Sequence, residues 1–171
     1  MKNLTAYVDA CIAELHNVEI YPNYIASWKV NTRAASRWGL CSYRPRDKRY
    51  SIQIASVLLE DNAPENALKE TILHELIHAV DGCLDHGEKW TRLVMKVNRA
   101  YGYNIQACDS YEEKGFTENP FASHYKYTIK CQECDREWNY MRMCKIITAC
   151  EQGRVKCPYC NRYSMKLIQL R

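Results

Sequence analysis

The sequence predicts an α+β chain in two parts: a helical unit with a small antiparallel sheet, then a C-terminal β unit organised by cysteines. Three patterns carry this reading. Apolar residues recur at helical spacing in three long stretches. Three short runs between the first and second of these alternate in character or are rich in β-branched and aromatic residues. Two Cys-x-x-Cys pairs bracket the last part of the chain. With 171 residues, 47% of them apolar, the chain can bury one main core and a satellite unit, and it is too apolar for a disordered protein.

Taken in order, Leu4, Tyr7, Val8, Cys11, Ile12 and Leu15 predict a helix over residues 3–17. Asp9 and Glu14 interrupt that stretch, so it is not a secretory signal, and no run is long and apolar enough to span a bilayer. A cytoplasmic protein, nucleoid- or DNA-associated, acting as a monomer without a membrane partner is the expectation. After a Tyr21-Pro22-Asn23 turn, strands are expected at Ala26–Asn31, Leu40–Tyr43 and Tyr50–Ala55, in an antiparallel sheet. Asn62-Ala63-Pro64-Glu65 marks a helix start, and Leu68, Ile72, Leu73, Leu76, Ile77 and Val80 continue it until Asp81-Gly82 breaks it. Trp90, Leu93, Val94, Val97 and Tyr101 form a third helix that Gly102 ends. Residues 1–104 are therefore one domain. The polar stretch 105–120 reads as a linker, and residues 121–171 as a second domain with strands at Tyr125–Lys130, Trp138–Arg142, Arg154–Lys156 and Ser164–Leu170. No internal repeat is apparent.

The second helix carries His74-Glu75-Leu76-Ile77-His78. Two imidazoles four residues apart fall on one helix face and can reach the same metal ion. Glu75, one position after the first ring, can act on water there; this is the H-E-x-x-H pattern of zinc-dependent hydrolases. His86 follows in the next loop, so three of the five histidines lie within thirteen residues. Three protein ligands with an open fourth position are what a catalytic zinc requires. Asp85, Glu88 and Cys83 remain alternative third ligands.

Ten cysteines without a signal peptide point to metal rather than disulfides. Cys131-Gln-Glu-Cys134 and Cys157-Pro-Tyr-Cys160, separated by 22 residues, have zinc-ribbon spacing. Cys144 and Cys150 lie between them as substitute ligands of poorer spacing. Cys11, Cys41 and Cys108 read as small core residues, and Trp38 and Trp90 as core packing.

These residues and their order resemble the SprT-like metallopeptidases. The similarity runs through Trp38-Gly39-Leu40-Cys41, Tyr50-Ser51-Ile52, Thr71 to Ala79 around the His-Glu motif, His86-Gly87 with Trp90, and the C-terminal cysteine pairs. The resemblance implies a zincin-like protease domain followed by a small zinc-binding domain, and the chain looks like the short bacterial members. For eukaryotic members it further implies cleavage of proteins covalently trapped on DNA. Other zincin patterns fit less well. Metzincins place Gly and His where this chain has Asp81 and Leu84, and thermolysin-like enzymes draw a Glu from a later helix, whereas Lys89–Gly102 holds none.

The expected activity is zinc endopeptidase, with one catalytic zinc on His74, His78 and His86, Glu75 as general base, and one structural zinc on Cys131, Cys134, Cys157 and Cys160. The strand near Tyr50–Ala55 is expected to flank the cleft and pair with an extended protein substrate. The chain carries net charge +4, unevenly spread. Lys29, Arg33, Arg37, Arg44, Arg46, Lys48 and Arg49 face only Asp47 in residues 29–49, and residues 121–171 hold ten basic and four acidic residues. With Tyr125, Tyr127, Trp138 and Tyr140 interleaved, these zones suggest DNA as a partner, single strands preferred, or simply solvated faces. The alternatives are a non-catalytic zinc-stabilised nucleic-acid-binding or adaptor module, and a zinc hydrolase of non-peptide amides.

Overall fold

A computed structural model describes residues 1–169, which divide into two compact units, Met1–Pro120 and a second beginning at Phe121. In the first unit, α1 (Leu4–Asn17) starts at Asn3, whose side chain accepts from the Ala6 N–H. Strands β1 (Ile25–Asn31), β2 (Gly39–Arg44) and β3 (Arg49–Ala55) follow, then α2 (Glu65–His78) and α3 (Glu88–Tyr101). The sheet order is β1-β3-β2. The antiparallel expectation holds for β2 and β3, joined by a tight turn with Lys48 at φ 52°. β1 instead lies on the far side of β3 and runs parallel to it, because the chain crosses over between β1 and β2. The sheet is thus mixed, and β3, read as the cleft-flanking strand, is central. Both its edges are occupied, β1 and β2 are the two edge strands, and β2 is the one that lines the cleft.

Helix α2 is buried nearly all round: Leu68, Ile72, Leu73, Leu76 and Ile77 are fully covered, and Glu70, Thr71, Glu75 and His78 are buried with them. It packs between α1, α3 and the sheet in one apolar core. Helix α3 buries one stripe, Trp90, Val94 and Val97, and stops at Gly102, whose left-handed φ of 71° suits glycine.

Residues 105–120 are not a free linker. Ile105 is buried in the core, and its backbone N–H and C=O both bond the Asn98 side chain. Lys114, only 4% exposed, pairs with Asp109 at 2.8 Å and with Glu70 of α2 at 3.5 Å. Phe116 stacks on Trp38, whose indole N–H donates to the Asp109 carbonyl. Asp109 and Lys114, which suggest a solvated loop, thus pair inside the fold, while Glu112, Glu113 and Glu118 are exposed.

The second unit is a three-stranded antiparallel sheet, β5 (Glu137–Tyr140), β4 (Tyr127–Cys131) and β6 (Met165–Gln169), with a short helix α4 (Lys145–Glu151). The expected strand at Arg154–Lys156 does not form, and Leu170, placed in the last strand, lies outside the described residues. The two cysteine knuckles are copies of one turn, Cys-x-x-Cys-Asx-Arg, a local repeat hidden in the sequence. Asp135 and Asn161 take φ of 56° and 57°. The Asp135 N–H bonds the Cys131 carbonyl, and the Asn161 N–H bonds that of Cys157. The Cys131 and Cys157 N–H groups bond the Arg136 and Arg162 carbonyls. Asp and Asn tolerate the left-handed conformation such a turn needs. No helix among the described residues is long and apolar enough to cross a membrane.

Candidate metal centre and catalytic cleft

His74 and His78 project from successive turns of α2, and a turn through Gly82, at φ 74°, brings His86 back to them. Their Nε2 atoms form a near-equilateral triangle with edges of 3.2, 3.1 and 3.1 Å. A tetrahedral zinc with Zn–N bonds near 2.0–2.1 Å requires edges of about 3.3 Å, so the donor set fits that ion. The tautomers agree. Nδ1 of His74 lies 3.0 Å from the Gln106 carbonyl and Nδ1 of His78 lies 2.7 Å from the Cys83 carbonyl. A carbonyl only accepts, so both rings carry their proton on Nδ1 and present bare Nε2 lone pairs to each other. Facing lone pairs repel, and a cation among them removes the conflict. Burial and the neighbouring charges of His78, His86 and Lys114 hold His74 down to about 3, and burial lowers His78 as well, so neither ring carries a proton that would compete with metal at neutral pH.

Trp90 underlies all three rings, with ring centroids 4.9, 5.6 and 4.5 Å from those of His74, His78 and His86. It packs in the core, as its helical spacing suggested. Asp85 is the acceptor for the Gly87 N–H, and neither Glu88 nor Cys83 belongs to the ligand cluster.

Glu75 is 6% exposed and sits in the same cleft, a cavity of about 480 Å³ that the three histidines share with Trp38 to Cys41 of the β2 edge and with Asp109 and Lys114. A Cβ on Gly39 would meet the Glu75 Oε1 at 2.5 Å, so the carboxylate occupies the space that glycine leaves. The Cys41 N–H bonds that carboxylate. Burial pushes Glu75 up to about 7, against the pull of the Cys41 N–H and of Lys114.

Gly39, the Cys41 backbone and Lys114 thus belong to the site but were not legible as such. The Trp-Gly-Leu-Cys string was the only signal for the first two. Cys11 is a core residue as expected, whereas Cys41 is half-buried and Cys108 exposed, both at the cleft.

In the second unit the sulfurs of Cys131, Cys134, Cys157 and Cys160 converge within 4.8 Å, with Cys131–Cys160 at 3.5 Å and Cys134–Cys157 at 3.6 Å. Four thiolates about 2.3 Å from a tetrahedral zinc would stand about 3.8 Å apart. The Ser164 hydroxyl draws the Cys131 thiol down to about 6, toward the thiolate that metal binding needs. Cys144 precedes α4 as its N-cap and Cys150 lies within it, and both pack in the hydrophobic cluster of the unit, outside this group of sulfurs.

The basic run does not form one patch. Arg33 and Arg37 lie in the β1–β2 loop. Arg44, Arg46, Lys48 and Arg49 cluster at the opposite end of the sheet, roughly 17 Å away at 3.3 Å per strand residue. Arg44 and Arg49 both pair with Asp47, at 3.3 and 3.6 Å. Lys29 is exposed on β1. In the second unit Tyr127, Trp138 and Tyr140 pack against the small core, and Tyr125 is half-buried, leaving Tyr159 and Tyr163 exposed instead.

The SprT-like family profile matches residues 11–109, which hold the whole His-Glu-His centre and the β2 edge. The DNA-dependent metalloprotease SPRTN of Danio rerio is 33% identical over 86 residues. That match covers 44% of this chain and 13% of the relative, so this chain corresponds to a small part of that protein. With more than half its length matched, and with the site inside the matched part, the chain belongs to the SprT-like family.

Proposed function

We propose that the chain is a zinc-dependent endopeptidase. The observation that carries the reading is the convergence of three Nε2 atoms beside a buried carboxylate in one open cleft. His74, His78 and His86 would hold the ion. Bound there, zinc supplies a Lewis acid for a peptide carbonyl and acidifies water. Glu75 takes the proton of the attacking water and passes it to the departing amine. Gly39 gives that carboxylate its place, and the Cys41 N–H fixes its direction. The unpaired edge of β2 offers backbone groups to an extended peptide, which suits a protein substrate read through its main chain. The four cysteines would hold a second, structural zinc.

Digestion of casein by the zinc-loaded chain and by Glu75→Gln tests the reading. The variant should retain two zinc ions per chain and lose about 10²–10⁴-fold in rate. Equal rates would leave the non-catalytic module standing, and hydrolysis of small amides alone would make the enzyme an amidase.

We further infer single-stranded DNA as a partner of the second unit. Tyr159 and Tyr163 are exposed, with the Arg136 guanidinium 3.5 Å and the Lys156 ammonium 4.9 Å from their ring centroids. Such pairs can stack unpaired bases and neutralise phosphates, and the relative's own name describes it as DNA-dependent. Binding should weaken steeply with salt and fall on Tyr159→Ala; a flat salt response removes DNA from the account.

A further inference from the structure

Beside the cleft lies a second recess of about 290 Å³, and the two share the wall Ser36–Leu40. It sits at the end of the sheet where β1 and β3 finish and β2 begins. Its lining includes Asn31, Arg33, Ser36, Arg37 and Gln53, and no acidic residue. Neither guanidinium pairs with a carboxylate among the described residues, in contrast to Arg44 and Arg49, which share Asp47. The loop that presents them is held in place: Ala34 is buried, and the Arg33 N–H bonds the Asn31 side chain. Two exposed guanidiniums without a carboxylate partner among the described residues, in one recess with the Ser36 hydroxyl and the Asn31 and Gln53 amides, have the chemistry to bind a planar anion.

We propose that this recess is a substrate subsite for an acidic side chain, Asp or Glu, of the protein being cleaved. The inference rests on the endopeptidase reading, because it takes the peptide to lie along β2. A chain on that free edge passes Gly39 and leaves the sheet beside Arg37 and Arg33. An extended peptide turns every second side chain to the same face, so one residue on one side of the scissile bond meets the recess. A phosphate backbone fits less well. It presents charges in series and calls for a row of cations, whereas Arg44, Arg46, Lys48 and Arg49 lie at the other end of the sheet, beyond a Debye length of about 8–10 Å, and Lys29, paired with Gln53 on β1, is the one further basic residue of this stretch near the recess.

The experiment compares matched decapeptides carrying Glu or Gln at successive positions around the scissile bond. At one position Glu should raise kcat/KM about tenfold. The double variant Arg33→Gln, Arg37→Gln should bring that ratio close to one, and Arg33→Glu should shift the preference toward Lys at the same position. A chain with no acidic preference, or a double variant that keeps it, overturns the subsite. So does a double variant that loses single-stranded DNA binding while its peptide preference is intact, since phosphate would then be the occupant. Fluorescence anisotropy of the labelled peptides on the zinc-loaded Glu75→Gln chain separates this idea from proteolysis. Tighter binding of the Glu peptide, abolished by the two Arg substitutions, supports the subsite even where wild type cleaves nothing. Equal binding of both peptides rejects it.

Discussion

The two candidate metal centres are built in opposite ways. Two of the three histidines stand on a helix buried on nearly every side, itself part of a core of nineteen buried residues, and the third on the loop that follows it. The four cysteines stand on two turns over a core of six buried residues, and two of those six are the ligands Cys131 and Cys157. In the first unit the protein itself holds the three imidazoles in place, and an ion there would be an addition. In the second, an ion bound by the four cysteines would take the place of a core that the unit is too small to build.

The most severe way to break this contrast is to remove one thiolate. Cys131→Ser, or chelation, should take about 10 kcal/mol from the second unit, with loss of amide protection across β4–β6 while α2 stays protected in hydrogen exchange. Parallel loss of protection in both units would mean that they are not built differently. Next in size is Lys114→Met, which strands Asp109 and Glu70 in the interior and should cost the first unit about 3–5 kcal/mol in urea unfolding. The second unit's transition should not move.

A smaller effect, of opposite sign, is expected for Glu75→Gln in the zinc-free chain. The carboxyl's folded pKa, about 7, lies above its unfolded value of 4.5. Its ionised form therefore costs stability, in full above pH 7 and not at all below about 4.5. The substitution should stabilise the first unit by up to about 3 kcal/mol at pH 8, fading as pH falls through that window. Identical unfolding curves for the two proteins at pH 8 would show that the carboxylate is not under strain. The smallest change in stability is expected for Gly39→Ala, about 1–3 kcal/mol from overpacking against Glu75. Displacing that carboxylate by an ångström should still lower casein hydrolysis about a hundredfold at unchanged zinc content.

What the sequence made legible was local. Two rings at i and i+4, a third a loop away, and paired cysteines two residues apart need only one helix or one turn to become geometry, and the structure brings each set together. What it hid was set by partners far along the chain. Gly39 is required by Glu75 on another element. The strap 105–120 looked solvated because Lys114 and Asp109 give no hint in sequence that they face each other and Glu70 indoors. Residues 29–49 looked like one basic patch because strand reversal, which sends Arg33 and Arg49 to opposite ends of a sheet, leaves no trace in composition. Helix α4 was missed because its Ile, Thr and Cys content favours a strand, and packing of Ile147 and Cys150 decides otherwise.

Trp90 has a practical consequence. An indole lying face or edge to all three imidazoles is an optical reporter wired into the centre. Loading with cobalt or copper should quench its emission while zinc leaves it bright. Set against a Trp90→Phe chain, to subtract the signal of Trp28, Trp38 and Trp138, the lost emission follows occupancy of the cleft in an unlabelled protein, in real time, without any substrate being turned over.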